Sequence, residues 1–290
     1  MKNNQLMIYG AYGYAGELMV REAVAQRLRP LIAGREAEKL KPIATELSLE
    51  CRAFGVRNTG SNLQDISVLL NCAGPFSATA EPLARACLAQ QIHYLDITGE
   101  IDIFRKCHAL DEEARQQNVL ILPGAGTDIV PTDCLAAMLK EKLPVATRID
   151  LALSFGTNPS IGTVNTMIES FGKGGLIREG GMLKVVSNAF QMRKIPFQNK
   201  PQWAMTIPWG DVFTSGISTG VPDGAVYMAM PRMSIYMIRL TNPVKGILNT
   251  QFGQKITKRL AGWLMKKGPD AKALEAGRGQ FWGEAEAPDG

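Results

Sequence analysis

Short apolar runs alternate with longer segments of helical periodicity through the first half of this chain. The runs Leu6–Tyr9, Pro30–Ala33, Cys51–Phe54, Val68–Cys72, His93–Ile97 and Val119–Leu122 are short and nearly continuous in apolar character, which predicts buried parallel strands. Between several of them, Glu17–Arg27, Glu36–Leu47, Glu81–Gln91 and Ile101–Gln117 carry polar residues at helical spacing. In the first of these, Leu18, Met19, Ala23, Val24 and Leu28 fall on roughly one face. A further helix is expected from about Pro131 to Lys142, with Thr127 or Thr132 as its cap and Pro144 beyond its end. This alternation predicts an α/β fold with a doubly wound parallel sheet, right-handed crossovers and strand order 3-2-1-4-5-6. Its ligand crevice would lie at the carboxyl ends of the strands.

The second half has a different pattern. Arg148–Phe155 alternates apolar and polar positions, as a half-exposed antiparallel strand does. Thr163–Phe171 reads as a helix that stops at the glycine cluster 172–175, whose spacing is not that of a P-loop. The stretch 195–240 is rich in Met, Trp, Pro and Tyr, with strand-like pieces at Ala225–Met230 and Ser234–Leu240. Phe252, Ile256, Leu260, Trp263 and Leu264 make an apolar stripe flanked by Lys255, Lys258, Arg259, Lys266 and Lys267. Such a basic helix (252–267) either docks on its own domain or makes peripheral contact with a membrane surface. Gln280–Ala287 reads as a strand, and the turn-like Pro288-Asp289-Gly290 after it has no partner strand to lead into, so the sequence reads as truncated. The expected organisation is a dinucleotide-binding domain over 1–146 and an α+β substrate domain over 147–290.

Composition narrows this picture. The chain has 290 residues, 46% hydrophobic and 20% charged, as one large or two medium globular domains would. It contains no apolar run long enough to span a bilayer, and Met1-Lys2-Asn3-Asn4 leads directly into the first strand rather than into a signal peptide. Five scattered cysteines without a C-x-x-C pair, and only two histidines, argue against a disulfide framework or a metal site and for a cytoplasmic setting. The net charge of +5 is uneven: residues 1–150 carry −2 and residues 151–290 carry +7, an excess that is either a solvated face or a surface for anionic lipid or an acyl-CoA-type phosphate. A small-molecule substrate is the expected partner, with no nucleic acid and with a homodimer as one possible assembly.

The candidate chemistry lies at the ends of the predicted strands. Gly10, Gly13 and Gly16 follow the first strand at three-residue spacing and lead into the first helix, with Tyr12, Tyr14 and Ala15 between them. The spacing is G-x-x-G-x-x-G rather than the commoner G-x-G-x-x-G. The strand–turn–helix context makes it a dinucleotide cradle: Gly10 turns the chain, Gly13 admits a pyrophosphate, and Gly16 lets the helix pack close to the strand. At the second strand's end, Gly34-Arg35-Glu36 stands where the adenosine ribose is read, and the leading arginine favours a 2′-phosphate, hence NADP (as NADPH). Cys72-Ala73-Gly74-Pro75-Phe76 follows the fourth strand, where small residues let the backbone pass a cofactor. Thr98 and Gly99 sit at the same edge after the fifth. Asp96, Asp128 and Asp133 are the candidate catalytic carboxylates, with backbone bonding or helix capping as their structural alternatives. Cys134 at a helix start is a weaker candidate nucleophile, without a placed histidine. Short-chain dehydrogenase chemistry is set aside because no tyrosine here has a lysine four residues on.

Taken together, GAYGYAG, AGRE followed by Lys39-Leu40, NCAGPF, HYLDITGE and GAGTDIVPTD resemble, in order, the saccharopine dehydrogenase-like oxidoreductases, in the branch that includes the trans-acting enoyl reductases. The resemblance covers residues 6 to about 140 well, and runs more loosely through 162–166 and 178–181. It implies an NADP-binding Rossmann domain, an α+β second domain and a C-terminal segment returning to the first. Where the family's glycine turn continues Phe-Thr-Gly, this chain has Tyr14-Ala15-Gly16, losing a hydroxyl near the phosphates. The activity implied is hydride transfer to or from an apolar unsaturated substrate such as an enoyl thioester. The alternatives are an amino-acid imine, with Arg178 or Arg193 holding its carboxylates, a semialdehyde-type reaction through Cys134, and a non-catalytic NADP-binding protein at a membrane surface.

Overall fold

The computed structural model describes residues 5–155, 174–244, 250 and 279–288. The expected helix at 163–171 and the basic helix at 252–267 lie outside them. The chain divides into two compact units, Met1–Val130 and Pro131–Gly290.

The first unit follows the strand–helix alternation. Its elements are β1 (Leu6–Tyr9), α1 (Tyr14–Ala25), β2 (Leu31–Gly34), α2 (Ala37–Leu47), β3 (Cys51–Ala53), β4 (Val68–Asn71), α3 (Phe76–Ala89), β5 (His93–Asp96), α4 (Ile101–His108), α5 (Asp111–Gln117) and β6 (Ile121–Leu122). The six strands are parallel in the order β3-β2-β1-β4-β5-β6, as expected. In β1, β2, β4 and β5 the near-continuous apolar character has a direct cause: successive residues point to opposite faces, and both faces are covered, whereas the edge strands β3 and β6, expected to be buried, are largely exposed. Met7 and Tyr9 join Leu69, Leu83 and Leu88 in one cluster, while Ile8 between them joins Val20, Ile32 and Leu40 in another. The helix expected over 101–117 is two, α4 and α5, separated at Ala109-Leu110. α3 begins at Phe76, five residues before the expected start, because Pro75 serves as its N-cap residue.

The second unit begins with α6 (Val130–Lys142) and continues β7 (Arg148–Phe155), β8 (Gly175–Glu179), β9 (Met182–Val186), β10 (Met192–Ile195), β11 (Gln202–Ile207), α7 (Asp211–Thr219), β12 (Asp223–Ala229), α8 (Arg232–Leu240) and β13 (Gly279–Glu286) among the described residues. One sheet runs β10-β11-β12-β7-β13, with β8 also pairing β12 and β9. Three expectations change here. First, β7 is no half-exposed antiparallel strand: it is interior, parallel to β12, antiparallel to β13, and buried from Ile149 to Ser154. Its polar positions are accommodated because Asp150 accepts from the Ala225 N–H and from Arg148, and Ser154 accepts from Gln202. Second, Ser234–Leu240 is helical, inside α8, which starts directly after its N-cap Pro231. Third, β13 does have a partner strand, β7, far back in sequence rather than across a hairpin. The helix α6 falls in this unit, so the division comes earlier than the expected 146/147. Leu135 and Leu139 of α6 lie against β13 at Gly283, where an added Cβ would stand 3.1 and 2.7 Å from their side chains.

Candidate cofactor site

A cleft of about 210 Å³ opens in the first unit at the carboxyl ends of β1, β2 and β4. It lies at the point where the strand order reverses, between β1 and β4, the position at which open α/β sheets take their ligands. Tyr9, Gly10, Tyr12, Gly13, Gly34, Arg35, Val56, Cys72, Ala73, Gly74, Pro75, Ala78 and Thr79 line it.

The glycine turn is built by backbone contacts that no side chain could share. Gly10 has φ +86° and donates its N–H to Ala33 O at 2.7 Å, and a Cβ on it would stand 2.7 Å from Ala73 N. A Cβ on Gly16 would lie 2.1 Å from Gly10 O, so only glycine lets α1 pack this close to the turn. Gly13 is different: its N–H bonds Gly10 O at 2.9 Å, and a Cβ there would meet only that oxygen, at 3.2 Å. Gly13 is also the N-cap residue of α1 and has no side chain with which to cap it. The positive end of a twelve-residue helix is therefore left to the cleft, as a pyrophosphate requires.

Arg35 is exposed and lines the cleft at the end of β2. Glu36, the acid that would otherwise read a ribose hydroxyl, does not line it and is paired with Lys39 at 2.8 Å. That hydrogen bond is the main reason its carboxyl lies below the usual range, with the charges of Lys39 and Arg35 adding to it against partial desolvation. The glycine cradle, the uncapped helix end and the presented arginine fit a 2′-phosphorylated dinucleotide.

On the far side of the cleft a buried polar chain fixes the loops. Asn71 Oδ1 accepts from Ala73 N at 3.0 Å, and its Nδ2 donates to Thr79 Oγ1 at 3.2 Å and to Tyr94 Oη at 3.1 Å. Thr79 Oγ1 donates to Ala73 O at 2.6 Å. Tyr94 Oη donates to Asp96 Oδ2 at 2.8 Å, while Asp96 Oδ1 accepts from the N–H groups of Thr98 and Gly124 at 3.0 and 2.9 Å. Asp96 is fully buried, and that burial raises its carboxyl pKa against the pull of these donors. Its oxygens thus tie the loop after β5 to the loop after β6. This geometry makes it an anchor for the cleft's rim rather than a group presented to a ligand.

The other expected site residues are distributed as follows. Gly10, Tyr12, Gly13, Gly34, Arg35, Cys72, Ala73, Gly74 and Pro75 are brought together in the cleft. Tyr14, Ala15, Gly16, Phe76, Thr98 and Gly99 are not in its lining. Tyr14 is exposed, Gly16 packs on Gly10, and Thr98 is buried with its hydroxyl accepting from Glu100 N at 3.1 Å. The Cys72 thiol is pushed up to about 12 by burial and by the Asp96 charge, which leaves it inert. Asp128 is exposed, near Gly99: a Cβ there would stand 3.9 Å from its Oδ2. Asp133 belongs to the second unit, in the first turn of α6, and accepts from Ser218 Oγ at 2.6 Å. The sequence reading missed Tyr9, Val56, Ala78 and Thr79. Thr79 was signalled only by its place four residues after Pro75, and Val56 by following the third strand.

In the second unit both arginines considered for substrate carboxylates are engaged. Arg178 is buried and donates to Val212 O, Ser215 Oγ and Val221 O at 2.5, 3.1 and 3.1 Å, which clamps α7 to the sheet. Arg193 bonds Glu284 at 2.5 Å and Asp150 at 3.4 Å, with the rings of Trp282 and Tyr227 centred 5.0 and 5.6 Å away.

Residues 6–122 match the family model described as the saccharopine dehydrogenase NADP binding domain. A saccharopine dehydrogenase-like oxidoreductase of Rattus norvegicus is 26% identical over 231 residues, covering 70% of this chain and 53% of that protein. A Mycobacterium tuberculosis protein named as a candidate trans-acting enoyl reductase is 28% identical over 206 residues, covering 63% of this chain and 44% of its own length. Among solved structures, apo saccharopine dehydrogenase (L-Glu forming) of Saccharomyces cerevisiae aligns with a TM-score of 0.61 at 9% identity, over 82% of this chain and 57% of that one, which shows a shared fold. The chain spans about half the length of the curated relatives it matches. The first unit thus holds a domain similar, over residues 6–122, to the saccharopine dehydrogenase NADP binding domain, as the sequence motifs led us to expect.

Proposed function

From that domain as premise, we propose that this chain is an NADPH-dependent oxidoreductase that moves a hydride to or from an apolar unsaturated substrate, an enoyl thioester being the representative class. The observation that carries the reading is the cleft itself: a glycine cradle at an uncapped helix end with Arg35 at its ribose edge. When bound, the nicotinamide supplies the hydride chemistry, and the protein supplies placement and charge. Gly10, Gly13 and the start of α1 would hold the pyrophosphate, Arg35 the 2′-phosphate, and Ala73 to Pro75 the turn beside the nicotinamide ribose. Asn71 and Thr79 would keep that turn in one geometry, while Asp96 ties the neighbouring loops after β5 and β6 together.

The second unit favours an apolar substrate over an amino-acid imine. An imine bearing carboxylates needs cations to meet them, and among the described residues the two arginines considered for this are turned to internal acceptors, Arg178 to Val212 O and Arg193 to Glu284. The relative named for enoyl reduction supports the same choice. The membrane-surface alternative rests on the 252–267 helix, and a cytoplasmic location and a homodimer remain parts of the proposal. The test is NADPH consumption, followed by its absorbance, with a medium-chain enoyl thioester and separately with a 2-oxo acid plus an amino acid. Turnover of the thioester alone supports the reading. Turnover of the imine mixture alone overturns the substrate class.

A further inference from the structure

A second cation stands at the ribose edge of the cleft, at the start of α2. Lys39, in the first turn of α2, has its Nζ 2.8 Å from Glu36 Oε1 and 5.6 Å from the centre of the Tyr12 ring. Tyr12 is itself held in place by a missing side chain: a Cβ on Gly34 would stand 2.5 Å from Tyr12 Cε1. Tyr12, Gly34 and Arg35 all line the cleft, and the Lys39–Glu36 pair stands beside them. Both partners are solvated, at 58% and 48% side-chain exposure, so the pair itself adds little to stability. A lysine stacked on a cleft-lining ring and neutralised by the residue next to Arg35 is placed for exchange.

We propose that Lys39 is a second cation of the adenosine 2′-phosphate site, held at the cleft edge by the Tyr12 ring, and that Glu36 is a stand-in anion which the 2′-phosphate displaces. This rests on the reading of the cleft as an NADP site. The charge balance supports it. Arg35, Lys39 and Glu36 sum to one positive charge, and a phosphate near two negative charges is a stronger partner for a lysine than one solvated carboxylate. A dinucleotide with a free 2′-hydroxyl brings no charge, so the Lys39–Glu36 pair stays closed. The trio therefore sharpens discrimination without adding a contact to NADH.

The experiment titrates the purified full chain with NADPH and with NADH by calorimetry, for the wild type and for Lys39→Met, Glu36→Gln and Arg35→Ala. Lys39→Met keeps the apolar stem and removes the charge, so NADPH should bind about three- to tenfold more weakly and NADH within twofold of wild type. Glu36→Gln should tighten NADPH by about two- to fivefold and leave NADH unchanged or weaker. Both effects should shrink at about 0.5 M salt, because these charges are solvated. Equal weakening of both dinucleotides by Lys39→Met, or no change in either, overturns the role of Lys39 while an Arg35→Ala loss of preference leaves the cleft reading standing. A wild type with no preference for NADPH overturns the cleft reading, and the inference with it.

Discussion

Replacing Gly10 by alanine should damage fold and cofactor binding together, and the size of the effect follows from two features of the turn. The residue sits at φ +86°, where an L side chain costs about 1–2 kcal/mol. Its new methyl would stand 2.7 Å from Ala73 N and 2.8 Å from Ala73 Cα, both backbone atoms with no rotamer to escape into. Ordinary contact begins at 3.4 Å, so the Ala73 turn must withdraw by about 0.7 Å. Asn71 and Thr79 hold that turn by hydrogen bonds, which resist the movement. Overpacking of this kind adds about 1–3 kcal/mol, for a total of about 2–5 kcal/mol. At about 2–4 °C per kcal/mol that is a fall in Tm on the order of 4–20 °C. Gly10 and Ala73 both line the cleft, so NADPH should bind at least about tenfold more weakly. Gly55→Ala is the control, since a Cβ there meets nothing within 4 Å, and it should leave both measurements alone. Thermal melting with a parallel NADPH titration reads the outcome. A Gly10→Ala protein that melts within 1 °C of wild type and binds NADPH within twofold refutes the reasoning.

Gly13→Val should separate the two effects: an added Cβ there meets only Gly10 O, at 3.2 Å, so Tm should change less than in Gly10→Ala while NADPH binding falls at least about tenfold, as melting and titration together would show. In the folded protein, Cys51 and Cys134 should react rapidly with a thiol reagent at neutral pH while Cys72, Cys87 and Cys107 stay protected, since burial pushes each of those three thiols up to about 12. Fast modification of more than two thiols would contradict this. Asp96→Ala strands the Tyr94 hydroxyl and the N–H groups of Thr98 and Gly124, and should destabilise by about 3–5 kcal/mol in chemical denaturation. Because burial raises the Asp96 carboxyl, the folded state binds its proton more tightly than the unfolded state does. Its contribution is therefore full below the unfolded value of about 3.9 and is lost as pH rises through the folded value. The wild-type minus Asp96→Asn stability difference should fall with pH across that window, and a rise would contradict the assigned burial.

The sheet of the first unit was legible because its inner strands β1, β2, β4 and β5 are covered on both faces, which makes them continuous apolar runs that no amphipathic helix imitates. The glycine turn was legible for a related reason: Gly10 and Gly16 mark places where backbone meets backbone. The second unit was harder. In β7 the polar Asp150 and Ser154 alternate with apolar residues and so suggest a solvated face, but Arg148, the Ala225 N–H and Gln202 satisfy them inside the sheet. Those partners lie on other strands, and spacing along the chain does not show them. In α8, the apolar run from Ile235 to Leu240 resembles a strand by composition, and only Pro231 marks the helix start. Asp96 shows the same limit at the candidate site. As a residue type at a strand's carboxyl end it suggests chemistry, while its three donors, on Tyr94, Thr98 and Gly124, give it a structural task. Arg35's place in the cleft was legible because it depends on position after β2 alone.

The central claim is that the first unit binds NADP through its 2′-phosphate, and calorimetric titration of the purified chain with NADPH and then with NADH tests it most directly. The account predicts saturable one-to-one binding of NADPH, with NADH at least about tenfold weaker, and a preference that shrinks sharply in Arg35→Ala. Binding of NADH as tightly as NADPH, or of neither, would contradict it.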